Sequence, residues 1–236
     1  MSPLSMRLVS LRLALPAASV AGALLLRIQF LDQWDGKSSE GLALVVLSLP
    51  YILLGLATIL ALASNHAIEA GVSVSMLLVY WLIQTRLQVP LQSQPAGQVF
   101  YLTSLLLPCT LLGYALIPEL SCRQPLGLAA VALSPVLIIV IGRLLAFDSQ
   151  LFFNPAQQAL ANGLMGSHLA ETASILYLAA FTTCLGFCIY RQRPLDSSLL
   201  GCTLMAYITF GWIHLTNISA FMFTAIGLLL SINLIA

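Results

Sequence analysis

Arg86, Arg143, Asp148, His168 and Glu171 are the side chains whose charge could act together beside an apolar interior. Arg86 closes the run "YWLIQTR", Arg143 sits in "VIGRLLAF", and Asp148, His168 and Glu171 follow in chain order. A charge at mid-depth in a bilayer costs about 2.5–3.5 kcal/mol on insertion scales, so an ionisable group there points to binding, relay or ion-path chemistry. Near the interface that cost falls away, because a long side chain can snorkel to the headgroups. Each of these five residues lies near the end of an apolar run, and all share the outward side of the topology given below. With Tyr80, Trp81 and Gln84 beneath them, they could frame a shallow ligand pocket with a polar rim. Interfacial anchoring is the plainer reading of the same residues.

A second group is "SNHAIEAG", residues 64–71, where His66 and Glu69 stand three apart and could exchange a proton. The stronger expectation is a helix start, with Asn65 as N-cap and Glu69 in the first turn, where negative charge suits the helix dipole. His168, Glu171 and His214 share the outer side and could bind zinc, but no spacing fixes them as ligands. A membrane haem needs two histidines at facing depth, whereas His66, His168 and His214 fall at loop ends on mixed sides. Cys109, Cys122, Cys184, Cys188 and Cys202 form no disulfide framework and read as small apolar packing residues. A phosphate-binding P-loop, a GxSxG elbow, HExxH and CxxC are all absent from the sequence. The sequence therefore assigns no catalytic residue, cofactor or metal. The spans hold almost no Asp or Glu away from their ends, which weakens a proton- or sodium-coupled transporter.

The elements that position these residues follow from composition. The chain of 236 residues is 60% hydrophobic and 7% charged, against about 25% charged in soluble domains. Its solvent is lipid, where every backbone N–H and C=O needs an internal partner, so only helices or a closed barrel can cross. The apolar runs are long and do not alternate, which favours helices. The net charge of +1, with Lys37 the single lysine, offers no basic stripe for nucleic acid. The expected fold is an all-α, polytopic transmembrane bundle of about eight helices in one domain over 1–236. The spans are 8–29, 41–63, 68–88, 98–118, 126–147, 170–190, 197–214 and 217–236. The first is read as retained, with Arg12 snorkelling, rather than as a signal peptide. The connection 148–169 could lie on the membrane as an amphipathic helix.

Arginine and lysine placement sets the orientation. Both termini are expected inside, with Arg7, Arg12, Arg123, Arg191 and Arg193; Arg27, Lys37, Arg86 and Arg143 lie outside. "LPYILLG" at 49–55 and "LPCTLLG" at 107–113 repeat one phrase and place a proline inside each of two spans. The chain ends on "FMFTAIGLLLSINLIA" without a polar flank. This ending suggests that the last helix continues into a cytoplasmic domain of a longer protein.

The stretches "LPYILLGLATILALASNHAIEAGVSVSMLLVYWLIQ", "LLLPCTLLGYALIPE" and "YRQRPLDSSLLG", with the terminal "FTAIGLLLSINLIA", resemble the amino-terminal membrane region of gammaproteobacterial GGDEF-type diguanylate cyclases. The likeness covers roughly 41–236, and the cyclase signature itself is absent from the chain. The resemblance implies a sensory and dimerising input module in the bacterial inner membrane. Its partners would be the lipid bilayer, a second copy and a fused catalytic domain that makes cyclic di-GMP. It also implies that any signal leaves through the last helix. On that helix Ala220, Thr224, Gly227 and Ser231 recur at spacings of three and four and could line a close contact, either with a twin helix or within the bundle. The alternatives are a self-contained transporter or channel and an integral membrane enzyme acting on lipid.

Overall fold

The computed structural model describes residues 3–32, 40–88, 94–133, 135–136, 169, 171–191, 193–213, 215 and 217–235. Its elements are α1 (Pro3–Asp32), α2 (Glu40–Ala63), α3 (Ala67–Arg86) and α4 (Gln94–Leu116), a helix α5 over 125–133, then α6 (Glu171–Tyr190), α7 (Pro194–Gly211) and α8 (Ile218–Ile235). The described structure is helical apart from turns and an isolated bridge between His66 and Ser121. Five stretches are long and apolar enough to cross a membrane: Ala43–Ala63, Ala67–Arg86, Ala96–Leu116, Glu171–Tyr190 and Ile218–Ile235. The expected spans 41–63, 68–88, 98–118, 170–190 and 217–236 fall on these. The expectation of about eight spans is thereby met only in its coarser form, an all-helical membrane bundle. Helix α1 carries Arg7, Arg12 and Arg27, α7 contains Asp196 and several hydroxyl residues, and most of 126–147 lies outside the described residues.

Helices α7 and α8 form the centre. α8 packs on α1, α2, α3 and α7, and α7 packs on α1, α4, α6 and α8. The outer helices close round this pair, with α3 touching α2 and α4, and α6 touching α4 and α1. α2 lies outermost, presenting Leu44, Val45, Ile52, Leu56 and Ile59 outward. Association of helices in lipid gains nothing from hydrophobic transfer and depends on close packing. A close approach to the α2 backbone is at Gly227 of α8, where a Cβ would stand 2.8 Å from Leu53 Cβ and 3.1 Å from the backbone N of Leu54. Ala220 and Ser231 on the same face are also buried, so at Gly227 the place a twin helix would take is held by α2 of the same chain. Aromatic rings fill the rest of the contact, with Tyr51 edge-on to Tyr80 at 4.9 Å and Tyr80 against Phe223 at 5.3 Å.

Prolines lie inside α1 (Pro16), α2 (Pro50) and α4 (Pro108). Each lacks the N–H that would return to the carbonyl four residues earlier. In α1 that carbonyl belongs to Arg12, and the Ser197 hydroxyl of α7 donates to it at 2.8 Å. In α2 the Tyr80 hydroxyl donates at 2.9 Å to Leu47, beside the carbonyl of Val46 that Pro50 leaves unmatched. At Pro16 a side chain of a neighbouring helix thus satisfies the backbone that proline opens.

The turns correct one expectation. Asn65 does not cap α3; it closes α2. Its φ of 66° is left-handed, and two bonds run back from this turn, Asn65 N–H to Leu62 at 3.2 Å and His66 N–H to Ala61 at 2.8 Å. This is a Schellman ending, which asparagine tolerates nearly as glycine does. His66 takes the N-cap position of α3 without a capping side-chain bond.

Gly227→Ala should lower the melting temperature of the purified protein in detergent, with a cost of about 1–3 kcal/mol for overpacking against α2 backbone. Gly55→Ala, where a Cβ meets nothing within 4 Å, should leave it nearly unchanged.

Candidate functional site

The densest polar assembly lies at the end of the bundle where α8 finishes. It collects the start of α7, the α2–α3 turn, the chain after α4, the arginine-bearing part of α1 and the last turns of α8. Pro194 occupies the first turn of α7 and Asp196 follows, a strong helix start on both counts. The next two residues each reach another helix. Ser197 bonds α1 as described, and Ser198 receives a hydrogen bond from Asn233 Nδ2 of α8 at 2.6 Å. Asn233 also approaches the Pro194 carbonyl at 3.4 Å. The exit of α8 is therefore held by the first turn of α7.

Charges surround this grip. Arg193 lies 3.9 Å from Glu119, just beyond α4. Arg191 donates to the Ala115 carbonyl at 3.0 Å, satisfying the end of α4, and its guanidinium stacks 3.8 Å over Phe187. Asn65 donates to Ser121 at 2.6 Å and the Ala67 amide to Leu120 at 3.1 Å, tying the α2–α3 turn to the chain after α4. His66 and Glu69 face each other at 3.7 Å. Arg12 Nη1 and Asp196 Oδ2 are buried with no hydrogen-bond partner among the described residues. Burial pushes the Asp196 carboxyl above its ordinary range, against the charge of Arg193 and a hydrogen bond from its backbone.

The residues singled out from sequence fall only partly among the described residues. Arg143, Asp148, His168 and His214 lie outside the described residues. Arg86 and Glu171 are exposed at the ends of α3 and α6 away from the α8 exit, and among the described residues no ion pair joins them. Tyr80 is fully buried, with its hydroxyl spent on Leu47, rather than set beneath an open rim. Trp81 is exposed, and Gln84 is half-buried and accepts from Gln88 at 3.2 Å. Of the α8 face, Ala220, Gly227 and Ser231 are buried, and the Ser231 hydroxyl turns back on the Gly227 carbonyl at 2.8 Å. Thr224 is partly buried. The five cysteines are free. Among the described residues no group of three His, Cys, Asp or Glu could hold a metal ion.

Sequence reasoning used "YRQRPLDSSLLG" for its likeness and its arginines for orientation, and missed Asp196, Ser197, Ser198 and Asn233 as a joint. One signal was present. Pro16 frees the Arg12 carbonyl, and a hydroxyl at a helix start of similar depth is the complement it needs. No family model matches the chain, and no curated protein or solved structure matches it significantly.

Ser197→Ala leaves the Arg12 carbonyl buried without a donor and should cost about 1–3 kcal/mol, read as a lower melting temperature in detergent. Asp196→Asn should act in the opposite direction. The Asp196 carboxyl holds its proton more tightly folded than unfolded, so its contribution weakens as pH rises through that window. The asparagine variant should melt higher than the parent at pH 7, and the gap should close as pH falls toward about 4.

Proposed function

We propose that this chain is a membrane-embedded input module of a bacterial signalling protein. In this reading a rearrangement of the bundle is handed through α8 to a cytoplasmic effector, a diguanylate cyclase domain by the resemblance noted above. The observation that carries the reading is the position of α8. It touches α1, α2, α3 and α7, and its last turns are gripped through Asn233 by α7. Displacement of any of these helices changes the tilt or rotation with which α8 leaves the bundle. The α8 exit is assigned to the cytoplasm. Among the described residues that end carries Arg12, Arg123, Arg191 and Arg193 and the opposite end Arg27 and Arg86, an asymmetry of the positive-inside kind. A cyclase joins two nucleotides between two catalytic domains, so the working form is a homodimer in the inner membrane.

The buried hydroxyls favour this reading over transport. Ser75, Thr203, Thr209 and Ser231 each bond a carbonyl of their own helix, at 2.7, 2.7, 2.8 and 2.8 Å. Each spends its proton within its own helix, which leaves it no free donor toward a hydrated path.

The test is to fuse a cyclase domain after Ala236 and insert one to four alanines at the junction. Cyclic di-GMP output should rise and fall with the helical period, and Asn233→Ala should shift the output of the uninserted fusion. Output that is flat across the insertions and unchanged by Asn233→Ala would overturn the proposal.

A further inference from the structure

A second feature lies between α6 and α7, away from the α8 exit. A cleft of about 390 Å³ is lined by four side chains with hydroxyl groups, Ser174, Tyr177, Thr203 and Tyr207, and by apolar walls that include Phe181 and Leu204. Its size is in the range of small-molecule sites, roughly 300–1,000 Å³. Ile175 and Leu178 of α6 form its rim and are 59% and 64% exposed, on a side that faces lipid. The opening is therefore lateral, toward the bilayer.

The polar groups of the cleft are unequal. Thr203 spends its proton on the Leu199 carbonyl at 2.7 Å. Tyr177 is 1% exposed, and neither its hydroxyl nor that of Ser174 has a hydrogen-bond partner among the described residues. Ser174 and Tyr177 stand three apart, on one face of α6. In a protein surrounded by lipid no bulk water relieves such groups, and a buried hydroxyl without a partner is costly. The Tyr177 ring is itself fixed, edge-on to Tyr207 at 5.7 Å. Two side chains whose hydroxyls lack an acceptor among the described residues thus belong to the lining of one cavity whose walls carry no Asp, Glu, Lys or Arg.

We propose that this cleft binds a neutral apolar molecule carrying a carbonyl oxygen, entering sideways from the membrane, with Ser174 and Tyr177 donating to that oxygen. The absence of charge in the lining selects against ionised ligands, because a charge there would be desolvated and unpaired. The walls accept a flat ring or an acyl chain. Ser174 and Tyr177 lie about 4.5 and 9 Å along α6 from its first residue, a depth open both to glycerolipid esters and to ketones dissolved in the bilayer. Two sources share this chemistry, a membrane quinone and a lipid ester. The site does not depend on the signalling role proposed above.

The full chain in lipid nanodiscs would be photolabelled with a diazirine-bearing benzoquinone or, separately, a diazirine-bearing phosphatidylcholine, and the adducts mapped by mass spectrometry. Adducts on 174–181 or 203–207 that an unlabelled competitor removes support the site, and the probe that labels at lower concentration identifies the source. Tyr177→Phe should weaken labelling on the order of two- to tenfold, while the ligand-free protein in detergent melts no lower than the parent. Leu204→Trp, which fills the cleft, should abolish labelling in a protein that still elutes as a folded species. Adducts spread over all lipid-facing helices, or labelling equal in parent, Tyr177→Phe and Leu204→Trp, would overturn the proposal. So would a Tyr177→Phe protein that melts markedly lower, since the hydroxyl would then have a structural partner.

Discussion

The constraint on which this structure depends is that backbone polar groups inside a bilayer must find partners within the protein. Uninterrupted helices meet it without help. Pro16 and Pro50 break it locally, and at Pro16 the repair comes from a different helix. Ser197 of α7 supplies the Arg12 carbonyl at 2.8 Å and Tyr80 of α3 the Leu47 carbonyl at 2.9 Å. These bonds fix where α7 meets α1 and where α3 meets α2. Pro16 here helps specify helix pairing, because the carbonyl it exposes accepts only a donor at its own depth. The two copies of the Leu-Pro-x-x-Leu-Leu-Gly phrase show how far this depends on neighbours. At Pro50 a tyrosine from α3 approaches. Near Pro108 the Ser104 hydroxyl turns back on the Tyr101 carbonyl of its own helix at 2.8 Å.

The second requirement is a near approach of backbones around α8. A helix bordered by α1, α2, α3 and α7 must have at least one face without bulk, and Gly227 provides it against Leu53 and Leu54. The small-residue spacing on α8 was read from sequence as a contact of either kind. The geometry at Gly227 places α2 there, because α2 and α8 cross with no room for a side chain between them. A twin helix would have to use a different surface, and the exposed residues of α8, Leu228, Ile232 and Ile235, lie on another side of it.

Much of the bundle was legible because span length and apolarity are local properties. The run 41–63 is Glu40–Ala63, 68–88 is Ala67–Arg86, and 170–190 is Glu171–Tyr190. What failed was non-local or depended on backbone conformation. Asn65 fits an N-cap by type, yet the left-handed conformation it tolerates makes it the closing residue of α2, and its side chain reaches Ser121, 56 positions away. Tyr80 was expected beneath a polar rim, but its rotational position on α3 turns it into the core, against Phe223. Ser197 and Ser198 looked like the start of a span. Their importance comes from partners at Arg12 and Asn233, and no local pattern links those positions.

Helix α7 connects the two features that stand out from this packing. At one end its first turn binds α1 through Ser197 and α8 through Ser198. Further along, Thr203 and Tyr207 form one wall of the cleft whose other wall is α6. Residues 198 and 207 are about 13–14 Å apart along a rigid helix. Over that length a wedge between α6 and α7 is transmitted as tilt more readily than it is absorbed by bending, because the intervening Cys202, Met205 and Ala206 are fully buried and leave little slack. On the proposed reading, a molecule seated between Tyr177 and Tyr207 would move the first turn of α7, and with it the hydrogen bond to Asn233 that fixes how α8 departs. The two proposals remain separable, since the cleft can bind without passing on a signal and α8 can pass on signals that arise elsewhere. Their common physical element is α7, a hydroxyl-rich and largely buried helix in a bundle otherwise built from leucine-rich spans.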